Sequence, residues 1–131
     1  MTLDQFIEKH GITMTLKKVE ENPYLFDSSS MTNHYRATLR FQGRKMSVPF
    51  STGSAWKEDP TVKVVLNCLA NDAVSVEVAR SFGEWADDLG LSSDLAQWER
   101  VYRASCKQTE RLKKFLGPHL YRVLVWQVDK D

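Results

Sequence analysis

The chain has 131 residues, 42% hydrophobic and 27% charged, with a formal net charge of +1. Such a length suits one domain, 1–131, with a real core, and the near-neutral balance excludes both a histone-like binder and a strongly acidic nucleic-acid mimic. No apolar run approaches the roughly 18 residues of a membrane span, and the first ten residues lack the basic start and long apolar stretch of a signal peptide. A cytoplasmic protein with no membrane partner is therefore expected.

Residues Thr2 to Lys9 predict a short helix, with Thr2 as N-cap, Leu3, Phe6 and Ile7 at helical spacing, and Gly11 ending it. Ile12, Met14 and Leu16 then alternate with Thr13, Thr15 and Lys17, the pattern of a half-buried strand. Glu20 to Asn33 reads as a loop whose Tyr24, Leu25 and Phe26 pin it to the core.

The stretch from His34 to Phe50 predicts a β-hairpin with one oily and one basic face. Tyr35, Ala37, Leu39 and Phe41 point one way and Arg36, Thr38 and Arg40 the other, because strand residues alternate sides. A tight turn at Gln42-Gly43 leads into Met46, Val48 and Phe50, which alternate with Lys45, Ser47 and Pro49. The expected core sets Tyr35, Leu39, Phe41, Met46, Val48 and Phe50 against Val65, Leu69, Trp98, Tyr102 and Leu112.

Ser51 to Asp59 reads as a second loop, holding Gly53 and Trp56. Asp59-Pro60 marks a helix start, with Asp59 as cap and Val62, Val65, Leu66 and Leu69 as its apolar stripe. Ser81 and Glu84 have capping-box spacing and open a short helix with Phe82, Trp85 and Leu89 inward, closed by Gly90. Ser93 or Asp94 caps the longest helix, which runs to about Leu116 with Trp98, Val101, Tyr102, Ser105, Thr109, Leu112 and Leu116 inward. Gly117-Pro118 breaks it, and the apolar tail from Leu120 to Val128 fits either a strand or a helix, with Trp126 on its core stripe. The fold class is α+β: a three-stranded antiparallel sheet, a short N-terminal helix and a C-terminal helical half packed on one sheet face.

Charge is blocked along the chain. From Ser28 to Lys57 the charged residues are Arg36, Arg40, Arg44, Lys45 and Lys57, with no acid. Asn71 to Glu99 is acidic apart from Arg80, and Arg100 to Arg122 is basic apart from Glu110. On helices such blocks commonly form solvated faces. On the hairpin, an exposed sheet face is polar in any case and lysine blunts its edges, but a face without acids has no cross-strand pairs, so anionic contact stands beside that reading.

Signals for catalysis are thin. Ser51-Thr-Gly-Ser54 is not a nucleophile elbow, and His10, His34 and His119 stand beside no evident nucleophile in sequence. Glu84 and Asp88 share a helix face but read as solvated carboxylates near a helix start. Cys68 and Cys106 are too few for a disulfide framework or zinc site and read as buried small hydrophobes. No glycine-rich nucleotide loop occurs, and no cofactor or metal is expected. The candidate partner-binding residues are Arg36, Arg40, Arg44 and Lys45 on the hairpin, with Trp56 and Lys57 in the loop beyond, where an exposed tryptophan can act as an anchor.

Several blocks resemble a family of small proteins encoded by phages, prophages and other mobile elements. They are Phe6 to Met14, the hairpin with Phe50 to Ser54, Leu66 to Ala73, Ala79 to Trp85, Glu99 to Tyr102 and Leu112 to Gly117. The tail Val123-Leu-Val-Trp126 departs from the acidic ending of such proteins. The resemblance carries no catalytic motif. It implies a non-enzymatic accessory protein in a bacterial host's cytoplasm that binds and inhibits a host protein or nucleoprotein complex, as anti-CRISPR proteins do with Cas effectors. The competing expectation is a nucleic-acid-binding accessory or regulatory protein that uses the basic hairpin face and the basic helix Arg100 to Lys114.

Overall fold

The computed structural model describes residues 1–20 and 31–130 of the chain. Helix α1 (Leu3–His10) opens on a reciprocal cap. The Thr2 hydroxyl accepts the Gln5 backbone N–H at 3.2 Å, and the Gln5 side chain accepts the Thr2 N–H at 2.9 Å. Left-handed Gly11 (φ 62°) closes the helix, letting Ile12 N–H reach the Ile7 carbonyl and turning buried Ile12 back into the core.

Strands β1 (Thr13–Val19), β2 (Met31–Phe41) and β3 (Arg44–Gly53) form an antiparallel sheet in the order β1-β2-β3. Strand β2 thus begins three residues before His34, and β3 continues through the segment expected as loop, burying Ser51 and Thr52. The β2–β3 turn is a two-residue connection at Gln42 (φ 48°) and Gly43 (φ 75°), where both positions need a left-handed backbone. The Tyr24, Leu25 and Phe26 cluster lies outside the described residues.

Five helical segments follow: α2 (Val62–Val78), α3 (Phe82–Asp88), α4 (Leu95–Leu116), α5 (Pro118–Arg122) and a π-helical turn (Val123–Gln127). The cap of α2 is Thr61, whose hydroxyl accepts the Val64 N–H at 3.3 Å, rather than Asp59. Asp59 instead accepts a hydrogen bond from the Tyr35 hydroxyl at 3.3 Å. Helix α3 carries its expected Ser81 cap, but Glu84 accepts the Arg80 N–H at 2.8 Å, one residue before the box partner. Asp94 stands at the start of α4 with φ 56° and no side-chain cap.

The tail is helical. Gly117 (φ 84°) ends α4, and Pro118 starts the next segment where its missing N–H costs nothing. Tyr121, Leu124, Val125 and Val128 then recur at helical spacing and are buried, while Trp126 falls off that stripe and is 51% exposed. Lys130 donates to the Leu124 and Val125 carbonyls at 3.3 and 2.9 Å, satisfying groups the π turn leaves free. Leu3 N–H to the Asp129 carbonyl (2.9 Å) and Asp129 N–H to the Met1 carbonyl (3.0 Å) tie the tail to α1.

Two clusters hold the fold. The main core joins Leu39, Phe41, Met46 and Val48 of the sheet to Leu3 and Phe6, to Val65, Leu66 and Leu69, and to Leu112, Phe115 and Leu116. The Phe41 and Phe115 rings meet edge to face at 6.1 Å. Trp98 and Tyr102 do not reach the hairpin. They belong with Phe82 and Trp85 to a satellite cluster at the other end of α4, with the Trp85–Tyr102 ring centroids 5.4 Å apart. A 22-residue helix spans about 33 Å, so its apolar stripe is long enough to serve both clusters. Leu89 is 52% exposed because the turn at Gly90 (φ 71°) sends Leu91 back onto the cluster in its place. Cys68 is exposed and Cys106 half-buried, against the burial expected of both; each sits just off its helix's core stripe.

Leu39, fully buried on the central strand, is a sensitive probe of this core. Leu39→Ala should cost about 2–5 kcal/mol in denaturant unfolding, whereas Trp126→Ala should cost less than about 1 kcal/mol. Equal costs would contradict the burial pattern.

Candidate functional site

The sheet's outer face is built of rows across the three strands. Register sets Thr13, Arg40 and Lys45 in one row, then Thr15, Thr38 and Ser47, then Lys17, Arg36 and Pro49. Two cationic rows therefore flank a hydroxyl row. Rows two residues apart are separated by about 7 Å, so the cationic rows lie about 14 Å apart. Arg36, Arg40, Lys45 and Lys17 are all exposed.

Hydroxyls organise this face. Arg40 donates from Nη1 to Thr15 Oγ1 at 2.8 Å, and the Thr38 and Ser47 hydroxyls share a hydrogen bond at 2.9 Å. Arg111 of α4 reaches the sheet edge and donates to the Ser47 carbonyl at 2.8 Å. Among the described residues no carboxylate forms an ion pair with Lys17, Arg36, Arg40 or Lys45. The helical cations differ: Lys113 pairs with Glu77 (2.9 Å) and Glu110 (3.2 Å), and Arg103 with Glu99 (3.5 Å). Glu77 and Glu110 raise the Lys113 pKa against the opposing effect of burial.

At the hairpin tip a shallow depression of about 290 Å³ is lined by Thr13, Arg40, Arg44 and Lys45, with Gly11 and the Gln42-Gly43 turn completing its rim. Arg44 shares the pleat side of Phe41, not that of Arg40. Its guanidinium lies over the Phe41 ring, 5.3 Å from the centroid, and Nη2 donates to Gln42 Oε1 at 3.5 Å. His10 packs against Phe6 and Phe41, and burial followed by the charge of Lys9 lowers its pKa.

The structure thus brings Arg40, Arg44 and Lys45 together and sets Arg36 one row-pair along the same strand. Trp56 and Lys57 lie elsewhere, beyond the far end of ten-residue β3, about 30 Å from the tip. There Asn33 ties the turn by donating to the Gly53 and Trp56 carbonyls at 3.1 and 3.4 Å, leaving the Trp56 ring 49% exposed beside a second shallow hollow with Lys57. They are not part of the basic face. Lys17 and Arg111 belong to the basic zone by position; strand alternation could reveal the first, but nothing in a helical stripe marks the second.

Among the described residues no three His, Cys, Asp or Glu side chains group as metal ligands, and no helix is long and apolar enough to cross a membrane. His34 and Ser51, distant in sequence, meet across β2 and β3 at 2.7 Å, with Ser51 buried as a sheet-ladder neighbour. No protein-family model matches the chain, and comparison with curated proteins and with solved structures likewise gives no match.

Two outcomes test these electrostatics. Arg40 and Lys45 are direct cross-strand partners of like charge, so Lys45→Glu should stabilise the protein by about 0.2–1 kcal/mol in thermal melts, with the gain shrinking in high salt. On α2, desolvation by neighbouring residues raises the Asp72 carboxyl from 3.8 to about 6, although the residue as a whole is exposed. The folded state then binds that proton more tightly than the unfolded state, and the stability it contributes is present below 3.8 and lost as pH rises through about 6. Asp72→Asn should flatten the fall in melting temperature across that window.

Proposed function

We propose that this protein is a non-catalytic accessory protein of a mobile genetic element that docks its basic sheet face on a host nucleoprotein complex and inhibits it, the role anti-CRISPR proteins play against Cas effectors. The supporting observation is the outer sheet face itself, where two rows of exposed cations have no carboxylate partner among the described residues. Like charges held across strands destabilise the free protein and are relieved by an anionic surface. Such a face also steers association, because an oriented positive zone accelerates encounter with a polyanion even at near-zero net charge. The helical cations compete poorly for this role, being partly neutralised by Glu77, Glu99 and Glu110. The mobile-element resemblance supplies the biological setting, a bacterial cytoplasm.

Co-purification with candidate host effectors, paired with a phage-plaquing assay, tests the reading. The wild-type chain should retain an effector and restore plaquing. Arg36→Glu with Arg40→Glu should abolish both while leaving the melting temperature unchanged or raised. Normal capture by the doubly reversed protein would sink the proposal and move attention to Trp56.

A further inference from the structure

The chemistry of the outer face narrows the kind of anion it can meet. Its rows carry guanidinium, ammonium and hydroxyl groups, which donate to phosphate oxygens. Its three cation and hydroxyl rows hold no aromatic ring to stack a base, and His34, one row beyond Arg36, is tied to Ser51 at 2.7 Å. Phe41, the ring nearest the tip, is 2% exposed and lies beneath Arg44. Arginine and lysine also fork onto guanine in a groove, but cations set in rows across a broad sheet face meet the backbone first.

The tip adds a seat. Small-ligand clefts span about 300–1,000 Å³, so a shallow hollow of about 290 Å³ suits one group of a larger molecule. Arg40 enters it already oriented by its bond to Thr15, and Arg44 by stacking on Phe41, which reduces the ordering cost of binding. Lys45 supplies a third positive charge from the strand opposite Arg40.

We propose that the hairpin tip seats a phosphate of a double-stranded nucleic-acid backbone, between Arg40, Arg44 and Lys45, with the Lys17–Arg36 row engaging the same backbone farther along. Phosphates advance about 3.4 Å per step along the duplex axis and wind around it as they do, so their separation in space is larger, and cationic rows about 14 Å apart span a short run of one strand's phosphates. This inference rests on the basic face being the docking surface and names the chemistry it meets: the nucleic-acid part of the complex.

Fluorescence anisotropy with the full chain and a labelled mixed-sequence duplex tests it between about 50 and 200 mM salt. The wild type should bind the duplex and its scrambled counterpart equally. Arg44→Gln should lower the slope of log K against log salt by about one unit, and Arg40→Gln with Lys45→Gln, or Lys17→Gln with Arg36→Gln, by about two. Thermal melts verify folding of each variant, all five side chains being exposed. An unchanged slope in Arg40→Gln/Lys45→Gln, binding of a phosphoserine peptide in place of duplex, or a nucleoside triphosphate bound as tightly as duplex would each overturn the assignment. Nuclease treatment separates this inference from the docking reading. If the digested host complex is still captured, and Arg36→Glu/Arg40→Glu still abolishes capture, docking stands and the phosphate seat falls.

Discussion

Everything on the outer face depends on the two-residue turn at Gln42-Gly43. With both residues left-handed, β2 and β3 leave the turn with Phe41 opposite Arg44 and Arg40 opposite Lys45. A slip of one residue would exchange the faces of β3, burying Lys45 and Ser47 and exposing Met46 and Val48. The main core, which joins those apolar residues to α1, α2 and α4, thus selects the same register that lines up the cations. Core and basic face are two sides of one constraint.

The hairpin was legible because a period of two is an unambiguous signal and the turn residues agree with it. The first helix was legible for a similar reason, since its Thr2 cap, apolar spacing and terminal glycine concur. The misses share a different cause. Asp59 and Thr61 are both good caps, and a contact with Tyr35, distant in sequence, engages Asp59 elsewhere. Leu89 has helical spacing, yet the Gly90 turn gives Leu91 the inward place. Trp98 and Tyr102 sit on a genuine apolar stripe whose partner is α3 instead of the sheet. Pattern reveals which way a side chain points, but not which element lies opposite.

The candidate site was legible only in its chemistry. Alternation alone could place Arg36 and Arg40 on one side and Lys45 nearby. The depression at the tip depends on Gly11 and Thr13 arriving from β1 beside the turn, a juxtaposition set by the β1–β2 register. The length of β3 carries Trp56 and Lys57 away from the group, although they are closer to Lys45 in sequence than Thr13 is. Arg111 joins through tertiary packing of α4 on the edge of β3.

That edge has a further consequence. A three-stranded sheet exposes two outer strands, each able to template pairing with another chain and so seed aggregation. Here β1 carries exposed Lys17 and Lys18 along one border, and on the other Arg111 occupies the Ser47 carbonyl that an incoming strand would need. These exposed cations oppose the joining of copies of the chain edge to edge. Of these guards only Lys17 also stands in a cationic row, so replacing it alters the sheet edge and the face at once.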